Sequence, residues 1–226
     1  MCGRFSLITP ARIVGERFRA DLPEQPFLPK YNAAPGQPLP VITNLAPEKI
    51  QLYHWGLIPF WAKDPTIASR LINARSESLS EKPSFKGSFK NKRCLVLADG
   101  FYEWKKTKIG RFPYRVTLKN EETFALAGLW NSWRNTEGKE IYTFTIITTP
   151  SNAAIAKIHN RMPAILQPED EKFWLDTKTD ISQIQEALKP YPANLMKTYP
   201  ISKLIDLPVN DTPEVIKPIR DLFYDL

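Results

Sequence analysis

The chain opens Met-Cys-Gly-Arg-Phe, and Cys2 has the least ordinary chemical prospects in it. A cysteine is usually a small buried hydrophobe. Second position widens its options. Initiator methionine is commonly trimmed before a small residue, and trimming Met1 gives Cys2 a free α-amine beside its own thiol. Such an amine titrates at about 7.7–8.0 and the thiol at about 8.5, so part of the amine is neutral and nucleophilic near neutrality. A 1,2-aminothiol captures aldehydes: the amine adds and loses water to give an imine, then the thiol closes a five-membered thiazolidine. That closure is intramolecular, with effective molarities on the order of 10⁵–10⁸ M in well-oriented cases. Cys94, inside the apolar run CLVLA, has its nitrogen tied up in an amide and is expected in the core.

Three further stretches carry groups suited to such chemistry. In LINARSES, a strand puts Asn73 and Arg75 on one face and Ile72 and Ala74 on the other. An amide and a guanidinium pointing the same way could hold a sugar oxygen and a phosphate; the alternative is a solvated edge strand. In LADGFYEWKK, alternation sets Glu103 with Phe101 and Lys105, and Tyr102 with Trp104. A glutamate between aromatics is partly desolvated, which raises its pKa towards the range useful in proton transfer. The alternative is a glutamate paired with a lysine at a strand end. In KIHNRMP, His159 sits near the end of an expected helix, with Arg161 just after it. Of the two histidines, His54 in LYHWG reads as a packed or hydrogen-bonded sheet residue, and His159, among polar and basic neighbours, is the better acid/base candidate.

These groups need a frame. TPARIVGERF reads as a helix with Thr9 as N-cap and Pro10 in the first turn. LPEQPFLPKYNAAPGQPLP is too broken by proline for regular structure. VIT and KIQLYHW read as strands around a turn at Ala46-Pro47-Glu48, and GLIPFWAKDPTIAS as a loop carrying exposed aromatics. RCLVLADGFYEWKK, FPYRVTLKN, ETFALAGLWNSW and EIYTFTIITT read as four strands, with hairpin loops at Asn120–Glu122 and Asn135–Gly138. PSNAAIAKIHN reads as a helix capped by Ser151, PEDEKFWLD as another, and DISQIQEALK as a third capped by Asp180. The tail ISKLIDLPVNDTPEVIKPI returns to short extended pieces. With no repeat, low-complexity tract or dividing linker, residues 1–226 read as one α+β domain around a curved, mainly antiparallel sheet with flanking helices.

Composition narrows the partners. A net charge of +7 with 12 Phe, 8 Tyr and 6 Trp suits a nucleic acid, because phosphates take Lys and Arg while bases stack on rings. A basic enzyme without such a partner is the alternative. Two cysteines make no disulfide framework, and no Cys/His cluster points to zinc, so neither metal nor cofactor is expected. No signal peptide and no apolar run of membrane-spanning length is present, which makes the cytoplasm the expected compartment.

MCGRF, YNAAPGQ, WGLIPFWAKD, LINARSES, RCLVLADGFYEWKK, TTPSNAAIAKIHNRMP and a late PVN stand in this order along nearly the whole chain. Each is weak alone; together they resemble the SRAP (SOS response-associated peptidase) family. The resemblance implies a fold with a barrel-like core and a protein that captures abasic sites in single-stranded DNA as a covalent thiazolidine, acting on damaged DNA of the nucleoid; a one-to-one covalent reaction of that kind needs only a monomer. It implies crosslinking by Cys2, sugar holding by Asn73, acid/base work by Glu103 and proton transfer by His159. Arg4, Arg75 and Arg161 match positions lining the DNA groove, Trp104 the residue packing the site, and Trp61 the aromatic loop. The family is regarded as an autopeptidase class, but here only Met1 precedes Cys2, and an ordinary aminopeptidase could remove it. An imine at C1′ invites β-elimination and ring closure removes that C=N bond, so strand incision of the lyase type is expected as a side activity, with slow ring opening by the same acid/base steps run backwards. Two other readings start from the same residues: an N-terminal-nucleophile amidohydrolase, in which the thiolate attacks a carbonyl, and a non-covalent single-stranded-DNA-binding module.

Overall fold

Alternating apolar residues in the middle of the chain produce long strands, and these close on themselves. A computed structural model describes residues 2–220. In chain order it contains β1 (Phe5–Leu7), α1 (Ala11–Phe18), β2 (Lys30–Ala33), β3 (Pro38–Thr43), β4 (Ala46–Trp55), β5 (Asn73–Arg75), α2 (Pro83–Asn91) and β6 (Arg93–Ala98). There follow β7 (Gly100–Thr107), β8 (Gly110–Leu118), β9 (Phe124–Arg134), β10 (Glu140–Pro150), β11 (Arg161–Pro163), α3 (Pro168–Leu175), α4 (Ile181–Glu186) and β12 (Met196–Pro200).

Antiparallel pairs β4–β3, β3–β6, β6–β9 and β9–β10 form a ribbon, and a short parallel contact of β10 with β4 (Thr143 with His54, Phe144 with Trp55) closes it into a five-stranded barrel. Closure leaves no unpaired edge among these strands. β5 and β11 extend β10 beyond the closure. A second sheet runs β12-β8-β7-β1-β2.

Side chains alternate between two apolar clusters. One joins Leu39, Val41, Trp55, Val96, Leu126 and Phe144 of the barrel to Phe5, Phe101 and Val116 of the second sheet, and Cys2 and Cys94 belong to it. The other sets Ile42, Leu95, Leu97, Ala127 and Ile147 against Phe85 and Phe89 of α2, Trp174 of α3 and Ile184 of α4. β6 and β9 approach closely at Gly128, where a Cβ would stand 2.8 Å from Cys94 Sγ. Cys94 is therefore a packing residue, as expected.

The α+β class, the helices PEDEKFWLD and DISQIQEALK, the Asp180 cap and the β9–β10 hairpin form as expected. Other expectations are corrected. RCLVLADGFYEWKK is two strands in two sheets, broken at Asp99, whose carboxylate accepts hydrogen bonds from Ser6 Oγ (2.8 Å), Ile8 N (2.5 Å), Thr9 N (2.9 Å) and Thr9 Oγ1 (3.0 Å). Thr9 is consequently no helix cap; Pro10 takes that place without a side-chain bond. Asn120–Glu122 joins strands of different sheets and not a hairpin. The β3–β4 turn falls at Asn44–Leu45, because Asn44 Oδ1 accepts from Arg93 N and Trp130 Nε1. The proline-rich loop contains β2, secured by Asp211 Oδ1 accepting from Tyr31 N and Asn32 N. PSNAAIAKIHN forms successive turns in place of a helix, ordered by Asn152 Oδ1 accepting from Ala154 N and Ile155 N. The tail contributes short 3-10 turns at Lys203–Asp206 and Pro213–Ile216.

Candidate active site around Cys2

Cys2 stands three residues before the start of β1, and β1 lies antiparallel to β7 with Phe5 opposite Phe101. Tyr102 N donates to Arg4 O at 3.1 Å, which continues the pairing one residue further towards the N-terminus. That register carries Glu103 to the strand position beside the Gly3 end of the chain. Cys2 is fully buried and Glu103 is 1% exposed. The Cys2 thiol donates to Arg4 O at 3.6 Å.

Asn73 arrives from another part of the fold. β5 runs parallel to β10, with Asn73 opposite Ile146, and Asn73 Nδ2 donates to Cys2 O at 2.8 Å. Its Oδ1 is buried and has no hydrogen-bond partner among the described residues. A buried acceptor in that state suits a ligand that brings a donor, such as a hydroxyl. The expected strand and its division of faces form here: Ala74 is buried and Arg75 exposed.

Electrostatics separate the roles. Burial pushes the Glu103 carboxyl up to about 7, against the pull of the Trp104 backbone N–H and the Arg111 guanidinium. Glu103 is therefore divided between acid and carboxylate near neutral pH. Burial, and then the charge of Glu103, raise the Cys2 thiol far above its ordinary range. It stays an S–H until a neighbour takes its proton. His159 is pushed down by burial and by the cations Lys106 and Arg111, against a backbone hydrogen bond at Arg161. His159 Nδ1 lies 3.0 Å from Arg161 N and 3.2 Å from Arg161 O, so the Arg161 backbone fixes the ring in place. Arg111 acts on both Glu103 and His159, so the three share one neighbourhood.

The expected DNA-facing residues divide. Arg4 Nη2 reaches Asp206 O at 3.4 Å, and Trp104 Nε1 donates to Asp206 Oδ1 at 2.8 Å. Asp206, which sequence reasoning missed, thus ties both residues to the segment before the late PVN. Asn32 Nδ2 supports that segment from behind through Ile205 O, Leu207 O and Asn210 O. Arg161 forms an ion pair with Glu77 and donates to Thr148 O at 2.5 Å, so a partner already holds it in place. Arg75, opposite Thr148 in the β5–β10 pair, is exposed. Trp61 lines a hollow of about 280 Å³ with Phe60, Gly87 and Lys92 against α2. A larger hollow of about 1020 Å³ lies between α1, the β3–β4 turn and α3, and holds none of these residues. His54, the sheet histidine, has Nδ1 3.0 Å from Gly36 O.

The site thus groups a buried thiol, a carboxyl raised by burial and an amide with a spare acceptor. Residues 1–208 match the family described as SOS response associated peptidase (SRAP). The chain is 47% identical over 225 residues to Abasic site processing protein YoqW of Bacillus subtilis, covering 96% of this chain and 99% of that one. It is 33% identical to Abasic site processing protein HMCES of Gallus gallus, across 97% of this chain and 78% of that one. A crystal structure of a protein from Bacteroides thetaiotaomicron superposes with a TM-score of 0.90 at 31% identity, covering 96% of this chain and 100% of that one. No helix among the described residues is long and apolar enough to cross a membrane.

Proposed function

Because this chain belongs to the SOS response associated peptidase (SRAP) family, we propose that it processes abasic sites in single-stranded DNA by trapping them covalently on Cys2 once Met1 is removed. The ring-opened abasic sugar presents an aldehyde at C1′. The Cys2 amine adds to it, and His159 passes a proton from the nitrogen to the new oxygen. Neutral Glu103 protonates that hydroxyl, water leaves, and an iminium remains beside the Glu103 carboxylate. The carboxylate then takes the thiol proton, sulfur bonds to C1′, and the iminium electrons return to nitrogen. The products are a thiazolidine, one water and a neutral Glu103 ready to run the steps in reverse. Asn73 orients Cys2 through its carbonyl and offers Oδ1 to a sugar hydroxyl.

The observation carrying this reading is the convergence of Asn73 on the Cys2 carbonyl with the buried Glu103 beside the thiol. Closing the ring removes the C=N bond that would otherwise promote β-elimination, so the lesion is shielded and strand incision stays minor. The raised thiol also favours amine-first condensation over thiolate attack, which weighs against an amidohydrolase. We read Arg4, Arg75, Arg161, Trp104 and Trp61 as contacts to the strand, and the acting species as a monomer.

The test is an adduct that survives boiling in detergent. Wild-type protein and an abasic oligonucleotide should yield it, and Cys2→Ala should abolish it while keeping salt-sensitive binding. Reversible binding alone by the wild type, after mass spectrometry has shown Cys2 to be N-terminal, would leave a non-covalent binding module.

A further inference from the structure

β7 and β8 form a hairpin whose outer half is uniformly basic. Residues 104–113, WKKTKIGRFP, contain Lys105, Lys106, Lys108 and Arg111 and no acidic residue. Lys106 stands directly opposite Arg111 in the antiparallel register. Like charges in that position oppose pairing, so an undirected surface gains nothing by keeping them there. Cross-strand partners share a face, and alternation puts Trp104 on it too; the Arg111 guanidinium lies 5.8 Å from the Trp104 ring centroid. Lys203 adds a cation on the hairpin's other face, its ammonium 5.0 Å from the ring centroid of Phe112, the cross-strand partner of Lys105. Among the described residues, Lys106, Lys108, Arg111 and Lys203 enter no ion pair. The acid that meets this face, Asp206, has Oδ1 engaged by Trp104 Nε1.

The hairpin also starts at the site. Glu103 lies in the same strand, three residues before Lys106, roughly 10 Å at about 3.3 Å per residue. We infer that the β7–β8 hairpin is the arm that holds the phosphate backbone of the single strand flanking the lesion, with Lys106, Lys108 and Arg111 as its phosphate contacts and Trp104 as its stacking surface. This rests on the function proposed above and adds to it the surface along which the strand leaves the reactive pocket. The repulsion of Lys106 and Arg111 is relieved when a phosphate lies between them. Neutralised phosphates release counterions, so each contact leaves a mark on the salt dependence of binding.

The experiment measures binding by fluorescence anisotropy, between 50 and 200 mM salt, to a single-stranded oligonucleotide with a tetrahydrofuran abasic analogue, which has no aldehyde. For single strands the slope of log affinity against log salt changes by about 0.7 per phosphate contact. Lys106→Gln should lower the slope by about that amount and Lys106→Gln/Lys108→Gln by about 1.4. Over this fourfold salt range, wild type should then lose roughly 7-fold more affinity than the double variant. Lys119→Gln, just past the opposite end of β8, makes the same change in net charge and should leave the slope as in wild type. An unchanged slope in the double variant, or an equal change in Lys119→Gln, overturns the inference. If the covalent reading is wrong instead, wild type forms no adduct with a true abasic site, while the salt slopes still report on the hairpin.

Discussion

Glu103 gives the proposed mechanism its most distinctive signature at the residue level, because burial moves its titration into the neutral pH range. The condensation proposed above needs a neutral amine and a protonated Glu103. The rate should therefore rise as the amine deprotonates, with a reference near 7.7–8.0, and fall as Glu103 ionises above about 7. Single-turnover crosslinking against pH should give a bell, and Glu103→Gln should be slower and lose the alkaline limb. A Glu103→Gln profile identical to wild type would remove Glu103 from the mechanism. The same shift bears on stability. An unfolded glutamate ionises near about 4.3, whereas the folded one holds its proton to about 7. The stability from neutral Glu103 is complete below the unfolded value and is lost as pH rises through the folded one. The Tm of wild type should thus drop relative to Glu103→Gln between pH 5 and pH 8. Asn73→Ala removes one hydrogen bond worth about 1 kcal/mol, so crosslinking should slow by roughly 5- to 10-fold. The alternation of LADGFYEWKK was enough to place Glu103 among aromatics. The Asn73–Cys2 contact joins residues 71 apart, and no local pattern could have shown it. The Arg161–Glu77 pair, spanning 84 residues, is likewise a product of the fold.

Asp99 is the joint between β6 of the barrel and β7 of the second sheet, and so fixes where Glu103 begins its approach to Cys2. Its carboxylate gathers backbone and hydroxyl donors from residues 6–9 and pairs with Arg115 at 3.3 Å, both side chains being nearly buried. Asp99→Ala leaves a buried guanidinium without its counter-charge, a loss on the order of 3–5 kcal/mol. Thermal unfolding should show a Tm lowered by several degrees or more, and crosslinking should weaken with it; an unchanged Tm would contradict this role. The joint was hidden in the sequence because CLVLADGFYEW is apolar on both sides of Asp99, and the donors that bend it lie about 90 residues upstream. The β9–β10 hairpin was legible because its turn residues are adjacent to the strands they join. Thr9 illustrates the opposite case: a good N-cap by type, it was drawn away by Asp99 Oδ2 at 3.0 Å.

Across the whole molecule, one parallel contact between β4 and β10 turns a meandering ribbon into a barrel, and β5 and β11 flank the continuation of the same β10 on opposite sides, β5 carrying Asn73 and Arg75 and β11 carrying Arg161. The strands could be read from alternation; the closure could not, because parallel pairing between distant segments leaves no turn signal. The charge of +7 could be read directly, but its concentration on the β7–β8 hairpin became meaningful only when Lys106 and Arg111 were seen face to face. Single-stranded substrate should crosslink faster than duplex, since the opened sugar must turn away from its neighbours to reach a fully buried Cys2. A preference for duplex would contradict the proposed capture at a buried Cys2.

The most direct measurement is intact-mass spectrometry of the protein after mixing with an abasic single-stranded oligonucleotide, with fragmentation to locate the attachment. A single species should appear, of the mass of the chain without Met1 plus one oligonucleotide less one water, joined at Cys2. Protein that retains Met1 yet still crosslinks, or an adduct on any other residue, would contradict capture by the Cys2 aminothiol.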